Sequence, residues 1–212
     1  MTAVIDFVSA WVGKLTRTAA ERSRITWDGL YQSGEPERYG SLEQCARYGV
    51  IEAYCKTFGR PVSVLEVGCG AGVLVDRCDK SMFARYCGID VSHVGIEKAR
   101  QTWGGGDFVV SPAEEFNCEK KSFDVVIFNE SLYYLNDMTG ELRRYLLFLK
   151  EDGRALVSIS GLESDAQNAL EREFRENIVS QTSIVDHGSG KSWIVYMLSR
   201  SPGARVQNRL SA

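Results

Sequence analysis

Apolar and polar positions follow two different periods along this chain. Short, nearly continuous apolar runs recur at Ser63–Val67, Tyr86–Asp90, Phe108–Ser111, Val125–Asn129 and Ala155–Ser160. Runs of this length predict strands buried on both faces. Between them lie stretches with the helical period: Val73–Cys78, Val94–Trp103, a short helix after Pro112, and Thr139–Leu149. Strand and helix in alternation predict an α/β fold, a parallel sheet with helices on both faces. The ending differs. After a helix over Ala166–Asn177 come two β-rich runs, Gln181–His187 and Ser192–Leu198. Their connector, Gly188-Ser189-Gly190, is too short for a crossover helix, so these two strands pair antiparallel.

Ahead of the first strand the pattern is helical. Val4, Ile5, Phe7, Val8, Trp11, Val12 and Leu15 share one face of an amphipathic helix over residues 3–15. Ile25–Gly34 is aromatic and ends in turn residues. Ser41–Phe58 reads as a helix with Leu42, Cys45, Ala46, Gly49, Val50, Ala53 and Tyr54 inward; Ser41 and Gln44 give it a capping-box spacing. These patterns describe a single domain over 1–212. An N-terminal helical lid spans about 1–58, the core 59–200, and an aperiodic tail 201–212. No internal repeat is visible.

Composition narrows the function classes. The 212 residues carry a net charge of −3, without the basic stripe that binding a nucleic acid requires. No apolar run reaches the roughly 18 residues of a membrane span, and the first residues lack the charged start of a secretory signal. Six cysteines are scattered without a CxxC pair, as expected of reduced thiols in a cytoplasmic protein. The two histidines, His93 and His187, have no ligands at zinc spacing, so no metal site is expected.

Chemistry concentrates at two strand ends. Val64-Leu65-Glu66-Val67 runs into Gly68-Cys69-Gly70-Ala71-Gly72, and Gly88-Ile89-Asp90-Val91-Ser92 ends the next strand on a carboxylate about twenty residues later. Gly68 permits a turn that a side chain would obstruct, and Gly70 and Gly72 let a ligand lie against bare backbone. A carboxylate at the following strand end suits a ribose. The third glycine of the dinucleotide fingerprint is replaced by Val73, which disfavours a nicotinamide dehydrogenase.

Glu66 to Gly72 resembles motif I of the class I S-adenosylmethionine-dependent methyltransferases. Gly88 to Ser92 is similar to their second motif, Phe123 to Glu130 to their fourth, and Gly153 to Ser158 to the turn and strand that follow. Trp27, Asp28, Tyr31 and Gly34, with Ser131-Leu132-Tyr133-Tyr134-Leu135, further resemble nodulation N-methyltransferases and related small-molecule enzymes. The resemblance implies a Rossmann-like, mostly parallel seven-stranded sheet closed by the antiparallel hairpin. It implies S-adenosylmethionine as cofactor. Glu66 would hold the methionine amino group, the backbone of Gly68, Cys69, Gly70 and Gly72 would line methionine and ribose, and Asp90 would accept from the ribose hydroxyls. Val91 and Ser92 would flank the adenine, and Asn129 and Glu130 would border the sulfonium and the acceptor.

Pro112 stands where many members carry the acid that binds the adenine amino group; Glu114, or the backbone of Ala113 and Glu114, is expected to substitute. Tyr31, Tyr39, Tyr133 and Tyr134 are the aromatic candidates to wall the site, with at most one of the adjacent last two facing it if that segment is extended, and Glu130, His187 and Tyr31 are the candidate catalytic groups. His93 reads as an adenosine-rim or capping residue. The expected acceptor is a small-molecule amine or hydroxyl, on a monomer or homodimer with no nucleic-acid or membrane partner. A protein or RNA acceptor, or a catalytically silent cofactor-binding scaffold, are the alternatives.

Overall fold

The computed structural model describes residues 18–34 and 39–203. The helix expected over 3–15 and most of the expected tail lie outside the described residues.

Seven strands form one sheet: β1 (Val62–Val67), β2 (Phe83–Asp90), β3 (Asp107–Val110), β4 (Phe123–Asn129), β5 (Leu149–Ser160), β6 (Ile178–Asp186) and β7 (Lys191–Ser199). Their order is β3-β2-β1-β4-β5-β7-β6. The pairs β1/β2, β1/β4, β2/β3 and β4/β5 are parallel; β7 is antiparallel to both β5 and β6. This is the expected architecture. Its chain order reverses at β1, where strands on one side lead to β2 and on the other to β4, and ligands of open α/β sheets bind outside the carboxyl ends at such a point.

The strands are apolar because both faces are covered. Val62 and Val64 of β1 pack with Tyr86, Val125 and Leu156 beneath α2 (Cys45–Lys56), α3 (Val73–Arg77) and α4 (His93–Thr102). Leu65 and Val67 pack on the opposite face with Ile89, Val126 and Phe128 against α5 (Met138–Leu146) and α6 (Ser164–Glu173). Side chains alternate between faces along a strand. Glu66, Asp90, Asn129 and Ser158 therefore all fall on the face beneath α2 to α4.

The N-terminal layer departs from expectation. Ile25–Gly34 belongs to a longer helix, α1 (Ala19–Ser33), with Gly34 in left-handed conformation at its end. Thr18 and Glu21 form a reciprocal capping box: Glu21 N–H donates to Thr18 Oγ1 at 3.2 Å, and Thr18 N–H to Glu21 Oε2 at 2.8 Å. The Ser41/Gln44 pair forms no such box. Ser41 opens a short 3-10 turn, Leu42–Gln44, without a side-chain cap, and Gln44 Oε1 accepts from Arg47 instead. The inward face of α2 is also not the expected one. Arg47, Tyr48, Ile51 and Cys55 are buried, Ala46, Gly49 and Ala53 are exposed, and Leu42 is 88% exposed. Polar residues occupy the buried row because this helix covers the cavity described below. Finally, the segment after Pro112 makes only one turn, with Glu115 and Phe116 N–H donating to the Pro112 carbonyl; no helix forms there. No helix among the described residues is long and apolar enough to cross a membrane.

Candidate cofactor and acceptor site

A cavity of about 450 Å³ opens at the carboxyl ends of β1, β2 and β4. Its floor is the turn after β1. Gly68 and Gly70 have φ of +76° and +53°, a region that only glycine enters freely. A Cβ on Gly68 would sit 2.5 Å from Ser131 Cβ, so the turn and the loop after β4 close on each other only over bare backbone. The Gly68 and Cys69 N–H groups both donate to the Ile89 carbonyl, which locks this turn to β2.

Buried charges surround the floor. Glu66, 1% exposed, receives the Tyr86 hydroxyl. Burial pushes its carboxyl up to about 8, against the opposing effect of that hydrogen bond and with the nearby Asp90 charge adding to the rise. Asp90 accepts from Gly70 N–H at 2.9 Å and Ser92 N–H at 2.8 Å. Burial still raises it to about 6. Arg47 reaches in from α2. Its guanidinium donates to Asn129 Oδ1, to Ser158 Oγ at 3.4 Å, to Gln44 Oε1 at 2.8 Å and to the Tyr48 hydroxyl at 3.3 Å. Among the described residues its buried Nε has no hydrogen-bond partner, an unusual and costly state for a buried donor.

Glu130 follows β4 with φ of +59°, a left-handed conformation rare for a side chain of its size. Ser158 holds it there: the Glu130 N–H donates to Ser158 Oγ at 3.0 Å, and the Ser158 hydroxyl lies 2.9 Å from Glu130 Oε1. The Tyr133 hydroxyl donates to Oε2 at 3.0 Å. Burial raises the Glu130 carboxyl above its ordinary value, and Arg47 counteracts this.

The model of the methyltransferase domain family matches residues 40–193. The chain belongs to this family. The match spans the glycine turn, the three carboxylates and the parallel sheet, and the domain is of the class I, S-adenosylmethionine-dependent type. The malonyl-[acyl-carrier protein] O-methyltransferase of Bacillus cereus is 25% identical over 176 residues, covering 79% of this chain and 65% of that protein. The mitochondrial arginine-hydroxylase NDUFAF5 of Danio rerio is 28% identical over 134 residues, covering 59% of this chain and 42% of that protein. This chain thus spans less than two thirds of either relative's length. The crystal structure of the N-methyltransferase NodS from Bradyrhizobium japonicum, complexed with S-adenosylhomocysteine, superposes with a TM-score of 0.70 at 17% identity, covering 84% of this chain and 97% of that one. That likeness is one of fold.

In this methyltransferase domain, Tyr39, Glu66, Gly68, Cys69, Gly70, Asp90, Val91, Ala113, Glu114, Asn129, Glu130 and Tyr31 all line the cavity. Five residues differ from expectation. Gly72 serves packing: it caps α3 with φ of +78°, and a Cβ there would press on Ala99 of α4 at 3.3 Å. Ser92 is a joint, fully buried away from the cavity; it accepts from Gly95 N–H and donates to Asp28 Oδ1 at 2.6 Å. His187 is exposed in the hairpin turn and His93 at the start of α4, both outside the cavity lining. Tyr31 stands with its hydroxyl against Gly70 of the glycine turn, and burial and the Asp90 charge raise it far above the ordinary phenol range, which does not suit a base.

The Ala113 carbonyl accepts from Arg144 and, at 2.8 Å, from the Tyr145 hydroxyl, so it is already engaged within the chain, whereas the Glu114 side chain is exposed at the cavity. Arg47 is a site residue that no motif marks. Its signal is the row Gln44, Arg47, Tyr48, Ile51 at helical spacing, which reads as an inward face only if a buried arginine is admitted.

Proposed function

We propose that this chain transfers the methyl group of S-adenosylmethionine to a nitrogen or oxygen of a small molecule. The observation that carries this reading is the charge arrangement around one cavity: buried Glu66 and Asp90, and a buried Arg47 with an unused N–H, over a glycine floor. These groups suit a ligand that is both an amino acid and a nucleoside. Arg47 offers a guanidinium to the methionine carboxylate. Glu66, held above its normal range by burial, gains a counter-charge from the methionine ammonium. Asp90 has spare lone pairs beside Gly70 for the ribose hydroxyls, and Tyr31, Tyr39 and Val91 pack around the nucleoside, with Glu114 at the adenine end.

When bound, S-adenosylmethionine supplies a methyl group on a sulfonium whose thioether leaving group needs no proton. The chain's own task is positioning and exclusion of water. Helices α1 and α2 act as the lid: Ala19, Trp27, Tyr31 and Arg47 bring that layer onto the cavity. The lid opens for exchange and closes for transfer. Cavities near this size suit small ligands, typically about 300–1,000 Å³. A protein or RNA acceptor would call for a broad or basic surface, and the net charge of −3 offers no support for one. The working form is a monomer or homodimer in the cytoplasm.

The test is transfer of labelled methyl from S-adenosylmethionine to a panel of amine and phenol metabolites. Labelled product that disappears when Arg47 is changed to Met is the expected result. A protein that binds neither S-adenosylmethionine nor S-adenosylhomocysteine contradicts the proposal.

A further inference from the structure

Five carboxylates and one cation line the cavity among the described residues: Glu66, Asp90, Glu114, Glu115 and Glu130 against Arg47. The cofactor reading assigns Arg47, Glu66 and Asp90 to the methionine and ribose, and the exposed Glu114 and Glu115 lie at the β3 end. Glu130 remains. It sits across β1 from them, at the end of β4.

We propose that the acceptor is a small organic cation, a protonated amine on an apolar or aromatic body, and that Glu130 selects it. The inference rests on the methyltransferase reading and narrows it.

Three observations meet at this carboxylate. First, Glu130 forms no salt bridge among the described residues. Its hydrogen-bond partners are the Ser158 and Tyr133 hydroxyls, while the Nη atoms of Arg47 are engaged by Asn129, Ser158, Gln44 and Tyr48. Its carboxylate is held in place by hydroxyls and feels Arg47 only from a distance, with no cation in direct contact. Second, the chain maintains a left-handed, non-glycine backbone at this position and spends a buried serine, fully enclosed in β5, to hold it. A residue there for solubility or packing would need neither. Third, aromatic rings gather beside it. Tyr133 and Tyr134 have centroids 4.6 Å apart, and Trp27 meets Tyr134 edge-on at 5.2 Å. Trp27, Tyr39 and Tyr134 line the cavity, and Tyr134 is 57% exposed. Ring faces attract cations and bury an apolar body.

The groups around Glu130 also argue against other acceptors. Glu163, at the start of α6, adds its field to Glu130 and Tyr134. A carboxylate acceptor would meet two like charges here. A hydroxyl acceptor would give Glu130 one hydrogen bond but no counter-charge.

The chemistry balances. The ammonium gives a proton to a Glu130 oxygen and keeps a lone pair on nitrogen. That lone pair forms the new N–C bond as the methyl carbon–sulfur bond breaks toward sulfur. The product leaves as a methylated ammonium, and the proton on Glu130 passes to water at the cavity mouth. Ser158 is a positioning residue, because it acts through Glu130.

The experiment loads the protein with S-adenosylhomocysteine and titrates it with phenethylamine and tryptamine, then with the alcohols and carboxylates of the same two skeletons. The expected result is amine binding roughly tenfold or more tighter than either counterpart, the scale of one charge-assisted contact. Glu130→Gln should erase that preference while S-adenosylhomocysteine affinity holds, which also reports that the variant is folded. With a turned-over amine, Ser158→Ala should raise KM more than it lowers kcat. Amines that bind no better than the alcohols or carboxylates, or a preference that survives Glu130→Gln, overturn the proposal. Failure of the wild type to bind S-adenosylhomocysteine is a separate readout and removes the methyltransferase reading beneath it.

Discussion

Strand β4 carries a buried carboxylate near one end, Asp124, and is followed by a second, Glu130, at the cavity. At the amino edge, Asp124 of β4 accepts from Ser63 N–H at 2.8 Å, Ser63 Oγ at 2.6 Å, Arg60 at 2.7 Å and Lys150 at 3.0 Å. Burial works against its ionisation, but these four donors win and hold it well below the usual carboxylate range. At the carboxyl edge, Glu66, Asp90 and Glu130 have hydrogen bonds but no salt bridge among the described residues, and burial wins at each, pushing all three up. An acid that serves the fold has its charge compensated inside the chain. On the proposed function, the cavity acids serve a ligand and stay in deficit until it arrives.

That contrast breaks if Asp90 and Asp124 respond alike to mutation. Asp90→Asn keeps one oxygen for Gly70 or Ser92 and removes a buried charge, which offsets the one N–H left unpaired, so the melting temperature of the free protein should move little. S-adenosylhomocysteine affinity, read by calorimetry, should fall by about 2–3 kcal/mol, since a charged acceptor of the ribose hydroxyls is lost. Asp124→Ala should do the reverse. It should cost about 2 kcal/mol of stability by denaturant titration, a figure discounted because Arg60 and Lys150 are half exposed. Affinity at a temperature where the variant stays folded should be unchanged.

Glu66 sharpens the comparison through pH. Its folded value of about 8 lies above the unfolded value near 4.3, so the folded state binds more protons between them. Stability of the ligand-free protein should fall as pH rises from about 5 to 8, the opposite of the effect of Asp124, whose contribution is full above about pH 4 and is lost only in acid. Glu66→Gln should flatten that slope and stabilise the free protein by about 1 kcal/mol or more at pH 8, while weakening S-adenosylhomocysteine. Denaturation curves across this range provide the check. The smallest effect belongs to His187→Ala. An exposed turn residue outside the cavity should change stability and cofactor affinity by less than about 0.5 kcal/mol.

The two edges also differ in how much of them could be read from residues alone. The carboxyl ends of β1 and β2 were legible because bare backbone and one carboxylate at fixed spacing do the work there, and both leave a local mark: Gly68, Gly70 and Asp90 stand in one short register. The covering layer was not. Helix α1 hides its core contacts behind Trp27, Asp28 and Tyr31, though Thr18 and Glu21 announce its start. Helix α2 turns Arg47 and Tyr48 inward, next to Gln44 of the preceding turn, so its apolar period points to the wrong face. Apolar periodicity finds surfaces buried against carbon; a surface buried against a ligand site carries polar residues and reads as solvent-exposed. Glu130 falls between these cases. Its place after β4 was legible, but the Ser158 clamp that fixes it comes from a different strand.

Calorimetric titration of the free protein with S-adenosylhomocysteine and, separately, with NAD tests the central claim most directly. The account predicts one site of micromolar affinity for S-adenosylhomocysteine, weakened in Asp90→Asn, and no measurable heat with NAD. Binding of NAD without S-adenosylhomocysteine, or S-adenosylhomocysteine binding that Asp90→Asn leaves intact, would contradict it.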